Sequence, residues 1–313
     1  MKIGEGNMRI LFMGTPDFAA ESLKAMVDAG LDVVGVISQP DKPKGRGHKL
    51  VPTEVKVAAQ AAGIEVYQPT KLKDNALMPL LDELKPELIV VTAYGRILPQ
   101  YIINYPKYGC INVHASLLPK LRGAAPIQWS IINGDEITGV TTMKMDEGLD
   151  TGDILLTRQT QIGEYETAEE LFDRLAKIGG ELLIETIKNI ENITPIPQNH
   201  AEHTYAPMIS KETGKIDWTK SAKEISKLIC GLNSWPLSYT TYKGTLLKIV
   251  QAKVCEGKGT PGMILGMEKN KGLKVACGEG ALYIEVAQFE GSRKMNIEDY
   301  ARGHEIEDGV ILV

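Results

Sequence analysis

The stretch that most restricts the fold is residues 109–123, GCINVHASLLPKLRG. Ile111 and Val113 are β-formers whose side chains share one face of a strand, so Asn112 and His114 share the other. Leu117, Leu118, Pro119 and then residues 123–125, Gly-Ala-Ala, end the regular structure. An amide and an imidazole thus emerge side by side where a strand runs out, and in open α/β sheets ligands bind at that edge. Asn offers a neutral donor and acceptor, while His donates or takes a proton near neutral pH. The two suit a carbonyl that gains negative charge while a nucleophile sheds a proton. On the pair alone, a satisfied buried histidine beside a turn-forming asparagine is the more economical reading.

Residues 145–153, MDEGLDTGD, place four carboxylates and two glycines directly after the strand-like run 139–144. The composition suits a solvated turn, and it equally suits a loop that delivers one carboxylate to a site. Spacing does not choose among Asp146, Asp150 and Asp153.

The flanking elements point to a parallel α/β sheet. Residues 9–14 form a short apolar strand. A helix runs to Asp28 with Asp17 as its expected N-cap, and residues 33–38 form a second buried strand. The first turn lacks G-x-G-x-x-G, so this Rossmann-like start carries no dinucleotide fingerprint. Residues 39–49 hold two prolines, two glycines and several basic side chains, which predicts a long exposed loop. Helices follow at 53–62 and 75–84 and strands at 65–67 and 87–92. Residues 126–133 read as a helix, 139–145 and 154–162 as strands. Thr167 and Glu170 spell a capping box before Leu171, Leu175, Ile178 and Leu182 at helical spacing.

Pro195, Pro197 and Pro207 mark residues 192–209 as a linker between a domain at 8–191 and another at 210–313. His200 and His203 stand three apart without companions of metal-site spacing, so no metal is expected. Beyond the linker, a helix at 221–230 precedes short strands at 239–242, 246–254, 262–265, 273–276 and 281–286, with a helix at 296–303. That spacing suggests a small β-barrel.

A net charge of −5 over 313 residues argues against a generic nucleic-acid binder. Within residues 210–258, however, nine lysines face four carboxylates, and local potential governs contact with a phosphate backbone. The four cysteines (Cys110, Cys230, Cys255, Cys277) are scattered and read as reduced thiols, which predicts a cytoplasmic protein. No apolar run reaches membrane-span length, and the polar residues 1–7 read as an extension ahead of a start at Met8.

Four motifs together carry a resemblance: Asn112-Val113-His114, Ser116-Leu117-Leu118-Pro119, residues 122–127 (RGAAPI) and residues 148–152 (GLDTG). In this order and spacing they resemble the 10-formyltetrahydrofolate-dependent formyltransferases over nearly the whole chain, most of all the members whose acceptor is an initiator tRNA. The resemblance implies a Rossmann-like formyltransferase domain followed by an OB-like β-barrel that binds tRNA. It implies Asn112, His114 and Asp150 as catalytic residues. Ser116, Leu117, Leu118 and Pro119 would bind the folate, with Tyr94 and Ile97 beside its pterin. The formyl donor would be 10-formyltetrahydrofolate and the acceptor the amine of methionyl-initiator tRNA. Lys42, Lys44, Arg46 and Lys49 would meet the tRNA acceptor stem, and no obligate protein partner or membrane is expected.

The chain departs from the family pattern at Cys230 (usually arginine), Ser234 (usually proline) and Met208 (usually lysine), which removes positive charge near the second domain. Two other readings differ in acceptor or class. A formyltransferase acting on a sugar-nucleotide or glycinamide ribonucleotide amine needs no basic loop at 40–49. A non-catalytic RNA-binding protein needs no intact Asn112, His114 and Asp150.

Overall fold

The computed structural model describes residues 8–44 and 49–313. Arg46, expected to meet tRNA, and the expected extension at 1–7 lie outside the described residues. The first ten strands are β1 (Ile10–Gly14), β2 (Val33–Ile37), β3 (Lys42–Lys44), β4 (Lys49–Val51), β5 (Val66–Tyr67), β6 (Leu88–Thr92), β7 (Cys110–His114), β8 (Arg122–Gly123), β9 (Ile137–Lys144) and β10 (Ile154–Gln161). The first six helices are α1 (Asp17–Asp28), α2 (Glu54–Ala61), α3 (Met78–Leu84), α4 (Gln100–Ile103), α5 (Pro126–Ile132) and α6 (Ala168–Lys188).

Seven strands form one sheet in the order β10-β9-β7-β6-β1-β2-β5. β1 and β6 are buried at every residue, which is why both read as unbroken apolar runs rather than alternating ones. Pairing is parallel from β5 through β2, β1 and β6 to β7, and antiparallel between β7 and β9. The chain builds outward from β1 on one side through β2 and on the other through β6. The crevice at the carboxyl ends of these strands is therefore the topological switch point.

Two local expectations change. Pro16, in extended conformation, caps α1, so Asp17 is the first helical residue and its carboxylate accepts the Phe18 N–H at 3.0 Å. Part of the basic stretch 39–49, expected as a long exposed loop, is in strands: Lys42–Lys44 is β3, and Lys49 opens β4. β3 and β4 pair antiparallel with Lys42 opposite Val51 and Pro43 opposite Leu50, because the flanking residues can satisfy their backbone groups across the stem.

By contacts the chain divides into two units. The first comprises residues through Gly123, Gly139–Thr160 and Phe172–Tyr205; the second comprises Ala124–Thr138, Gln161–Leu171 and Ala206–Val313. The stretch 192–209, a linker by composition, is largely structured in the first unit. Ile196 bridges Ile154 through two 2.8 Å backbone hydrogen bonds, and Gln198 is buried.

The second unit contains α7 (Ala222–Gly231) and α8 (Ile297–Ala301), preceded in the chain by β11 (Tyr205–Ala206). Its strands are β12 (Ser238–Tyr242), β13 (Thr245–Cys255), β14 (Ile264–Glu268), β15 (Gly272–Ala276), β16 (Ala281–Phe289) and β17 (Met295–Asn296). They pair antiparallel in the order β12-β13-β16-β15-β14, with β17 on β16. The carboxyl-terminal residues join the two edges: Val313 exchanges backbone hydrogen bonds with Thr241 of β12, while Ile264 and Gly262 bond Val310 and Leu312. The tail thereby closes the sheet, satisfying edges that would otherwise stay open. Ile225 and Ile229 of α7, Trp218, Leu247, Leu273, Leu282, Ile284 and Leu312 fill the core. A capping box of Ser221 and Glu224 starts α7.

Candidate active site

The strand β7 ends in the first unit with Asn112 half-buried and His114 only 6% exposed. The loop between β9 and β10 brings Asp150 to them. Its carboxylate Oδ2 lies 3.6 Å from His114 Nδ1 and accepts the Gly123 backbone N–H at 2.8 Å. Oδ1 lies 3.5 Å from Asn112 Nδ2, at the outer edge of hydrogen-bond range. Of the three aspartates that spacing left open, Asp150 is the one at the strand end. Asp146 braces the loop instead, accepting the Gly148 N–H at 3.0 Å and the Thr151 hydroxyl at 2.6 Å.

His114 Nε2 lies 2.9 Å from the Leu121 carbonyl. A carbonyl only accepts, so Nε2 carries a proton and Nδ1 is the nitrogen left to face Asp150. The carbonyl thus selects which side of the imidazole does chemistry.

Both residues that aim the site sit in the left-handed region, Leu121 at φ 57° and Asp150 at φ 54°. Each costs about 1–2 kcal/mol for a side chain with a Cβ and needs outside support. Leu121 receives it from Thr204, whose hydroxyl accepts the Leu121 N–H at 2.8 Å and whose carbonyl accepts Arg122 N–H at 2.9 Å. At Gly152 space rather than φ excludes a side chain: a Cβ there would lie 1.8 Å from the Lys144 carbonyl oxygen.

Around the expected folate segment, Ser116 is buried and its hydroxyl donates to the Lys120 carbonyl at 2.6 Å. Thr141 locks the turn, donating to Ser116 O at 2.7 Å and accepting the Leu118 N–H at 3.2 Å. Ser116 therefore shapes the segment, while Leu117 and Pro119 stay partly exposed and Leu118 is buried. After β6, Ile97 is 88% exposed. The Tyr94 ring packs with Leu98, Ile102 and Met145, and burial pushes its phenol above the ordinary value, so it remains a donor. The Tyr94 and Thr92 hydroxyls are buried without a hydrogen-bond partner among the described residues. The exposed Ile97 offers apolar surface of the kind that suits the flat face of a pterin, whereas the Tyr94 and Thr92 hydroxyls are shut off from solvent.

Cys110, at the start of β7, is no nucleophile: burial pushes its thiol up to about 12. His200 Nδ1 accepts from Arg122 Nη2 at 3.2 Å, and His203 Nδ1 lies 2.8 Å from the His200 carbonyl. Among the described residues no cluster of three or more His, Cys, Asp or Glu is arranged to hold a metal ion. No helix among them is long and apolar enough to cross a membrane.

Of the expected tRNA contacts, Lys42 is exposed on β3, and Lys44 and Lys49 end the hairpin stem. The departures from the family pattern also have places. Cys230 is buried in the second unit with its thiol 3.7 Å from the Tyr165 carbonyl, Met208 is 79% exposed, and Ser234 is exposed. Composition gave no sign of Thr204 or Gln198, because neither residue type is distinctive in a proline-bearing stretch.

The family model described as formyl transferase matches residues 8–187, and that described as formyl transferase, C-terminal domain, matches residues 208–305. A methionyl-tRNA formyltransferase from Alkaliphilus oremlandii is 52% identical over 309 residues, covering 97% of this chain and 99% of the relative. One from Caldanaerobacter subterraneus subsp. tengcongensis is also 52% identical, over 97% of this chain and all of the relative's length. Among solved structures, WlaRD, a sugar 3N-formyl transferase crystallised with dTDP and 5-N-formyl-THF, is similar with a TM-score of 0.66 at 20% identity, covering 92% of this chain and 100% of that one. HypX from Aquifex aeolicus in complex with tetrahydrofolic acid gives a TM-score of 0.63 at 19% identity, over 97% of this chain and 51% of that one. At such identities these structures are alike in fold.

Proposed function

The chain belongs to the formyltransferase family, among its methionyl-tRNA formyltransferases, and we propose that Asn112, His114 and Asp150 perform its chemistry. It transfers a formyl group from 10-formyltetrahydrofolate to the α-amine of methionyl-initiator tRNA. The convergence of Asn112 Nδ2, His114 Nδ1 and the Asp150 carboxylate at the end of β7 carries the assignment of roles.

A free α-amine titrates near pH ~8, so an appreciable neutral fraction is available and little base strength is needed. The protein must hold the amine against the formyl carbon, stabilise the oxygen as it gains charge and move one proton. Asn112 Nδ2 donates to that oxygen. His114, with Nε2–H committed to the Leu121 carbonyl, turns Nδ1 toward the Asp150 carboxylate and holds that side of the site in place. Asp150 accepts the proton that the amine loses as its new bond to carbon forms. 10-Formyltetrahydrofolate supplies the formyl carbon, and as the old C–N bond breaks its N10 takes from Asp150 the proton that the amine lost. Leu117, Leu118, Pro119, Tyr94 and Ile97 would hold the folate, with Ser116 fixing the turn.

Lys42, Lys44 and Lys49 of the hairpin, with Arg46, would meet the acceptor stem as cations on phosphate. The exposure of Lys42 supports this, and contacts of that kind position rather than specify. The lysine-rich second unit would add charge along the tRNA. The free thiols fit a cytoplasmic setting.

Labelled formyl transfer, with Met-charged initiator and elongator tRNAs offered in parallel, tests the reading. Product on the initiator tRNA is expected. Product on neither, with the folate still bound, would contradict it and favour a small-molecule amine.

A further inference from the structure

Gln198 lies in the first unit, outside every motif that marks the chain as a formyltransferase, and is only 6% exposed. Its amide nitrogen donates to the Asp150 carbonyl at 2.9 Å and to the Gly152 carbonyl at 2.7 Å. Its amide oxygen accepts from Arg122 Nε at 3.1 Å and Nη2 at 2.6 Å. The orientation is fixed by chemistry: two carbonyls can only accept and a guanidinium can only donate, so a flipped amide would face four mismatches. Every hydrogen-bonding position of the side chain is used.

The groups it joins belong to the two halves of the site. Arg122 sits between Leu121, whose carbonyl anchors His114 Nε2, and Gly123, whose N–H binds the Asp150 carboxylate. Asp150 and Gly152 belong to the loop that must hold a left-handed backbone to present its carboxylate. Arg122 itself is 5% exposed, and no carboxylate lies within ion-pair distance among the described residues. Its hydrogen-bond partners there are Gln198 and His200 Nδ1. The amide dipole of Gln198 therefore connects a buried cation on one segment to two carbonyls on the other.

We propose that Gln198 is a positioning residue for formyl transfer, setting the distance between Asp150 and His114 by tying the Asp150 loop to Arg122. The inference rests on the reading of the site as the formyl-transfer centre. Gln198 touches neither substrate; it acts through Asp150. Loss of its hydrogen bonds should therefore lower kcat and leave both KM values nearly unchanged.

The experiment compares the full-length wild-type chain with Gln198→Met, which keeps the side chain's length without its hydrogen bonds, and Gln198→Glu, which keeps the acceptor for Arg122 and removes the donors. Each substitution is also combined with Asp150→Asn. Circular dichroism and thermal melting confirm folding, and labelled single-turnover formylation reports the rate. Both single variants are expected to lose about 10²-fold in kcat, the scale of a misplacement near 1 Å, with KM values for folate and Met-tRNA within about twofold of wild type. In the Asp150→Asn background, neither should cause further loss. Wild-type kcat in either single variant would overturn the inference alone, provided the wild-type chain formylates Met-tRNA. A full additional loss in the double variants would also overturn it, by showing a general structural role. A wild-type chain that leaves Met-tRNA unformylated would overturn the functional reading and this inference together.

Discussion

Two segments of the first unit meet at the site and contribute differently. Residues 110–123 supply groups that can react, Asn112 and His114, on a strand whose alternation fixes their common face. Residues 196–204 supply no reacting group; they contribute Gln198, Thr204 and a backbone bridge to Ile154. The first segment alone would leave Leu121 and Asp150 in costly backbone conformations with nothing to hold them there. The comparison shows a division of labour: chemistry is carried by the end of β7 and the Asp150 loop, and their geometry is imposed by a stretch that composition describes as a linker.

Substitutions graded by distance from the chemistry can break or sharpen that division. Within these two segments the largest loss is expected at Asn112: Asn112→Ala removes an oxyanion donor and should lower kcat by about 10²–10³, measured by single-turnover formylation. Near-normal turnover would remove Asn112 from this role. Next is Gly152→Ala, whose new Cβ would lie 1.8 Å from the Lys144 carbonyl oxygen and must push the Asp150 loop aside. A kcat loss of about 10–10² is expected, with a destabilisation of about 1–3 kcal/mol in denaturant titration.

Thr204→Val deletes the acceptor of the Leu121 N–H, and kcat should fall by up to about tenfold because solvent can partly replace this exposed hydroxyl. A loss as large as that at Asn112 would erase the distinction between reacting and holding segments.

The smallest effect lies in the second unit. Hydrogen bonds from the Ser221 backbone and then its hydroxyl hold the Glu224 carboxyl below its ordinary value of 4.5. A depressed folded-state value means the contribution is present above pH 4.5 and lost as pH falls through the lower folded value. Glu224→Ala should therefore lower Tm slightly at neutral pH, match wild type in strong acid and leave kcat unchanged.

The uneven legibility of the chain has the same physical origin. β1 and β6 announce themselves because strands buried on both faces must be apolar. The capping box at Thr167 is visible because reciprocal bonding demands those residue types at fixed spacing. The period of two puts Asn112 and His114 on one face and no more; a role for them, like the choice of Asp150 over Asp146 and Asp153, needed resemblance or geometry. Gln198 and Thr204 left no trace, because any amide or hydroxyl could serve and only the fold decides which one arrives. The barrel's closing tail was equally silent: its backbone hydrogen bonds to Thr241, Gly262 and Ile264 depend on position rather than side-chain type.

The Asp150 carboxylate is the central group of the site, so the most direct measurement is the single-turnover rate of formyl transfer to Met-charged initiator tRNA by Asp150→Asn. The substitution keeps an oxygen for the Gly123 N–H and removes the carboxylate that faces His114 and takes the proton. A fall of about 10²–10⁴ with unchanged folate binding is predicted, the scale of general acid–base catalysis. A rate within about twofold of wild type would contradict the central claim that this carboxylate manages the proton.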